Sequence, residues 1–182
     1  HVQTGVRNIT SYAQKKLYLM NGLMMSRRKE TNYIVIHSTH TKPNSNISIR
    51  TVDEWHRKRG LLRVGYHLFI KRNGQIEVGR NLNDIGAHTK EHDLDSVSVC
   101  LAGGLNTRGV TAPDYTKEQL ESLFVLVKTL NQMYPDAEVV GHRDLNKTDC
   151  PSFDVREWWI VNKDNTDLQL KHKVGGSGVW IN

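Results

Sequence analysis

The sequence predicts an α/β fold: a single domain with a mixed, mostly parallel central sheet flanked by helices. Three observations predict it. Short β-branched apolar runs alternate with stretches of helical periodicity, the pattern of strands joined through crossover helices. An Asn73-Gly74 pair sits between two apolar runs, a hairpin signal that adds an antiparallel pair to the sheet. The chain has 182 residues, within the range of one ordinary domain able to bury a core without staples.

The elements follow in order. Tyr33-Ile34-Val35-Ile36 reads as a buried strand with His37 at its end. Ser48 caps a helix running to Lys58 and stopped by Gly60, with Ile49, Val52, Trp55 and His56 spaced for one face. Tyr66-His67-Leu68-Phe69-Ile70 and Gln75-Ile76-Glu77-Val78 are the arms of the hairpin, and alternation along the first arm sends His67 to the face opposite Tyr66. Val97-Ser98-Val99-Cys100-Leu101 is the next strand, ending in Gly103-Gly104. Thr116 and Gln119 form a capping-box pattern ahead of an amphipathic helix carrying Leu120, Leu123, Phe124, Val127 and Leu130 to Met133, closed by Pro135. A short strand, Glu138-Val139-Val140, leads to Gly141-His142, and a last helix starts at Asp154 and carries Trp158 and Trp159. Residues 1–30 read as an N-terminal extension with a short helix around Tyr12 to Leu23, residues 31–162 as the domain, and residues 163–182 as a polar tail with a Gly175-Gly176-Ser177-Gly178 tract.

A net charge of +6 and a pI near 9.4 attract an anionic partner, and nucleic acid, acidic lipid and the bacterial wall all qualify. No Arg-rich arm, zinc-finger repeat or aromatic RNA-binding pattern is present, so a dedicated nucleic-acid reader is not expected. Arg27-Arg28-Lys29 is a basic run ahead of the first strand. Two cysteines make no disulfide framework, and a reducing compartment is the default. No stretch approaches the roughly 18 apolar residues of a membrane span, and Leu17 to Met25 lacks a small-residue cleavage pattern, so no membrane insertion is expected.

Two histidines stand where strands run out: His37 after the first and His142 after Glu138-Val139-Val140. Cys150 follows close behind His142. Zinc prefers imidazole and thiolate, and a catalytic site needs three protein ligands with an open fourth position. Spacing alone does not select this trio from nine histidines, since His40, His56, His67 and His88 fit an equally loose argument and a cysteine before proline is ordinarily a small buried hydrophobe.

Ordered motifs select it. Ile34-Val35-Ile36-His37-Ser38-Thr39, Val64-Gly65-Tyr66-His67, Ile85-Gly86-Ala87-His88, the strand ending in Cys100-Leu101-Ala102-Gly103-Gly104, Gly141-His142-Arg143-Asp144 and Cys150-Pro151-Ser152-Phe153-Asp154 occur in this order. Together they resemble the type-2 N-acetylmuramoyl-L-alanine amidases, most closely the small phage lysozyme (endolysin) branch, which is similar to animal peptidoglycan recognition proteins. The resemblance covers roughly Tyr33 to Trp159. It implies one zinc ion per chain held by His37, His142 and Cys150, with Tyr66 assisting catalysis beside the metal and His88 near the substrate cleft. Phage members often carry a lysine two residues before the cysteine ligand; here that position is Thr148, as in the recognition proteins, with Lys147 one place earlier. Thr148 is thus a catalytic candidate that supplies a hydrogen bond but not an ammonium charge.

The implied reaction is hydrolysis of the amide between N-acetylmuramic acid and L-alanine in bacterial peptidoglycan, leading to host lysis. Two rivals stand beside it. Some recognition proteins of this fold bind peptidoglycan without cutting it, and the presence of the third ligand, Cys150, favours catalysis. Phage relatives also bind and restrain phage RNA polymerase, for which the Arg27-Arg28-Lys29 run is a point of contact or simply a solvated tail. A monomer is expected, made in the host cytoplasm and acting on the wall after membrane permeabilisation. Activity should fall with salt if positive charge supplies the wall attraction.

Overall fold

The computed structural model describes residues 27–165. Five strands form one sheet: β1 (Tyr33–Ser38), β2 (Leu68–Ile70), β3 (Ile76–Val78), β4 (Ser96–Leu101) and β5 (Glu138–Gly141). Their order is β3-β2-β4-β1-β5, parallel throughout except for the β2–β3 hairpin. The mixed, mostly parallel sheet expected from the sequence is therefore present. Around it lie α1 (Ile49–Lys58), α2 (Lys117–Met133), a one-turn α3 (His142–Leu145) and α4 (Val155–Asn162). No helix among the described residues is long and apolar enough to cross a membrane. The helix expected around Tyr12 to Leu23 lies outside the described residues.

Local chemistry explains the boundaries. The Ser48 hydroxyl accepts from Thr51 N at the start of α1, and Thr116 and Gln119 form the expected reciprocal cap on α2. Asp154 accepts from Glu157 N and opens α4 where expected. At the hairpin tip, Asn73 Oδ1 accepts from Gln75 N.

The two faces of the sheet receive different residues because side chains alternate along each strand. On one face Ile34, Ile36, Val97, Val99, Leu101 and Val139 pack against Leu123, Phe124 and Val127 of α2 and Trp158 of α4, all buried. The opposite face carries His37, Ser96, Ser98 and Cys100, with Phe69 packing toward Val52 of α1. Register places Cys100 directly beside His37, and pairs Ile36 with Gly141 so that His142 emerges next to the end of β1.

Two expectations need correction. β1 runs on through Ser38 because its pairing with β4 extends to Leu101, so His37 lies inside the strand rather than at its end. β2 begins only at Leu68, so alternation does not extend to Tyr66, whose ring also lies against His37. His67 turns to the same face as His37: its Nδ1 lies 3.0 Å from Ser98 Oγ, and its ring sits 5.6 Å from that of His88.

Candidate metal centre and active site

β1, α3 and the loop after α3 bring His37, His142 and Cys150 together, with one ligand atom of each within 4.8 Å of the others. His37 Nδ1 stands 3.9 Å from Cys150 Sγ, close to the roughly 3.6 Å that two ligands at ordinary zinc–nitrogen and zinc–sulfur lengths would span in a tetrahedron. Among the described residues no fourth His, Cys, Asp or Glu joins the group, leaving three candidate ligands.

The chain returns Cys150 to His142 through a closed turn. Cys150 O accepts from Arg143 N at 2.8 Å, and Asp144 caps α3 by accepting from Gly141 N at 2.7 Å. Asp144 of the Gly-His-Arg-Asp motif is thus a cap. Cys150 Sγ accepts from Ser38 N at 3.1 Å, a bond across 112 residues that favours thiolate over thiol. Burial still pushes the thiol up, with the Ser38 bonds opposing it. Gly104, at φ +98°, closes over this corner: a Cβ there would come within 2.6 Å of Ser38 Oγ.

Each histidine ligand has a partner away from the cluster. His37 Nε2 meets His88 Nδ1 at 3.0 Å and the buried Thr89 hydroxyl at 3.2 Å, while His142 Nε2 meets Asn146 Oδ1 at 3.0 Å. Such outer contacts orient imidazole ligands. Burial, followed by repulsion from His88 and His142, holds His37 well below the usual histidine range, and burial also lowers His88 and His142. Neutral imidazole is the form that ligates a cation. The donor set, the neutral imidazoles and the spacing fit zinc.

The ring of Tyr66 lies 5.1 Å from that of His37. Burial is the main reason the Tyr66 pKa stands well above 10, so at neutral pH it is a donor and not a base. His88 is seated against His37, closer to the ligand than the cleft position expected of it suggests. Gly86 makes that seat, since a Cβ there would run into the His88 ring. Thr148 is exposed, and its hydroxyl accepts from Cys150 N at 3.3 Å, so its contact is with the main chain of a ligand. Sequence reasoning missed Ser38, Thr89 and Asn146; only Asn146 had a signal, four residues beyond His142 on one helical face.

Arg28 is no solvated tail residue. Its guanidinium donates to Thr31 Oγ1, Asp84 O and Tyr134 Oη and lies 5.6 Å from the centre of the Tyr134 ring.

Fold and site together define an α/β protein with a His-His-Cys centre where neighbouring parallel strands end. Residues 27–153 match the profile of the family described as N-acetylmuramoyl-L-alanine amidase, and the chain belongs to that family. The endolysin of Escherichia phage T7 is 37% identical over 144 residues, covering 79% of this chain and 95% of that protein. The solved N-acetylmuramoyl-L-alanine amidase LysC from Clostridium intestinale has a TM-score of 0.61 at 25% identity, covering 80% of this chain and 87% of that one. Drosophila PGRP-LB in complex with tracheal cytotoxin also scores 0.61, at 24% identity over 73% of this chain and 82% of that one, a likeness of fold alone.

Proposed function

We propose that this chain is a zinc-dependent endolysin amidase that cleaves the bond between N-acetylmuramic acid and L-alanine in peptidoglycan. The observation carrying it is the convergence of His37, His142 and Cys150, in a chain of this family, with neutral imidazoles and an N–H donor aimed at the Cys150 sulfur. Zinc bound there would lower the pKa of water to about 7 and polarise the scissile carbonyl.

The chain's own residues do the rest. Tyr66, protonated at neutral pH, directs its hydroxyl proton toward the carbonyl oxygen as negative charge develops there. Thr148 uses its hydroxyl oxygen to hold Cys150 N and has its hydroxyl proton free for a substrate carbonyl at the rim. His88, with Thr89, holds the His37 ring so that its Nδ1 faces Cys150. The setting is a phage product made in the host cell and acting on its wall, supported by the endolysin relatives.

The test combines zinc content with mass spectrometry of muropeptides after digestion, comparing the native chain with Cys150→Ser. One zinc per chain and release of intact stem peptides, both lost in the variant, are expected. Stoichiometric wall binding without cleavage by the native chain would replace the enzyme with a recognition module.

A further inference from the structure

We infer that Asn146 is a positioning residue that sets which nitrogen of His142 is offered to the metal. This rests on the metal site proposed above. A neutral imidazole has one N–H and one lone pair, and a hydrogen bond to one nitrogen decides where the proton sits. His142 Nε2 lies 3.0 Å from Asn146 Oδ1.

The amide of Asn146 has no freedom to turn round. Its Nδ2 donates to Lys90 O at 3.3 Å and Leu145 O at 3.0 Å, and both carbonyls can only accept. Oδ1 therefore faces the ring, and an oxygen there accepts only from a protonated Nε2. The lone pair is left on Nδ1. The backbone reinforces the grip, because Asn146 N donates to His142 O at 3.0 Å as the cap of α3. Asn146 thus clasps both the carbonyl and the ring of one candidate ligand. Through Lys90 it also ties α3 to the segment carrying His88 and Thr89, which holds His37.

Sequence position supports a specific role. An asparagine in a solvated turn needs no fixed rotamer, but here every polar atom of its side chain is engaged on a different group. Holding a ligand's outer nitrogen is worth about 10- to 100-fold in metal affinity where it has been removed.

The experiment measures zinc affinity by competition with a chromophoric chelator, and ring-nitrogen shifts of zinc-loaded, ¹⁵N-histidine-labelled full chain. The native protein should show His142 with a protonated Nε2 and zinc on Nδ1. Asn146→Leu, which removes the acceptor at similar volume, should lose about 10- to 100-fold in affinity. Asn146→Asp, which keeps an acceptor oxygen but loses both donors, should stay near the native value. Far-UV circular dichroism checks that each variant is folded, and the native tautomer needs no variant at all. Zinc on Nε2 of His142 in the native chain, native-like affinity in folded Asn146→Leu, or equal losses in the Leu and Asp variants would each overturn the role of Asn146. A native chain without zinc would instead remove the metal site itself, and this inference with it.

Discussion

The two faces of the sheet come from the same strands and have opposite characters. Along β4, Val97, Val99 and Leu101 enter an apolar core, whereas Ser96, Ser98 and Cys100 underlie a cluster of histidines. The first face gains stability from removing apolar area from water. The second buries polar rings, which is tolerable only because they find partners: His67 with Ser98 Oγ and Asp84 O, and His37 with His88 and Thr89. A period of two residues keeps the chemistry within one side-chain length of the core without mixing them.

That division can be attacked from either side. The largest effect should come from Cys150→Ser, which removes a ligand on the chemical face: activity is expected to vanish and zinc affinity to fall by more than the roughly 100-fold typical of outer contacts, while the apolar core stays intact. Phe124→Ala, on the other face, should cost about 3–5 kcal/mol in urea unfolding and leave the zinc affinity of the folded fraction unchanged. If the cavity variant lost zinc in proportion to its stability, the faces would be coupled and the contrast would fail.

Tyr66→Phe sharpens the picture within the chemical face. Removing a donor to a developing oxyanion should lower kcat about 10²- to 10³-fold with zinc content preserved. Loss of metal in that variant would make Tyr66 a structural support for His37 instead.

The smallest effect concerns acid. His67 is held at about 4, below its ordinary 6.5, chiefly by burial. As pH falls the unfolded chain takes up this proton first, so the stability from a neutral His67 is complete above about 6.5 and is lost between there and about 4, by up to about 3 kcal/mol. His37 and His88 shift in the same direction. Urea unfolding across that window should give a shallower pH slope for His67→Gln than for the native chain. Equal slopes would mean that His67 is not among the groups that matter.

Most of the fold was legible in the sequence because it depends on local signals. The caps at Ser48, Thr116 and Asp154 and the apolar spacing of α2 are written within a few residues of where they act. The hairpin tip at Asn73-Gly74 belongs to the same class. The course of Tyr66-His67 was misread because a strand period was extended into irregular backbone. The metal trio was not legible from spacing: it depends on β1 pairing with β5 and on Arg143 N meeting Cys150 O, contacts that no periodicity encodes. Ordered family motifs carried that information instead. Thr89 and Ser38 were invisible for the same reason, since their partners lie far along the chain.

The bond from Ser38 N to Cys150 Sγ spans 112 residues, and this separation has a kinetic consequence. Hairpins and helices form by local search, whereas contacts between distant segments wait on the closure of long loops. The cluster cannot exist until β1 and β5 are side by side, so under the proposed function metal capture would come at the end of folding rather than its beginning. During refolding, uptake reported by a metal-sensitive dye should lag the far-UV signal; uptake that preceded it would show that the ion gathers the chain instead of arriving at a finished site. On the expected course, the protein acquires its chemistry only once its longest-range architecture is complete.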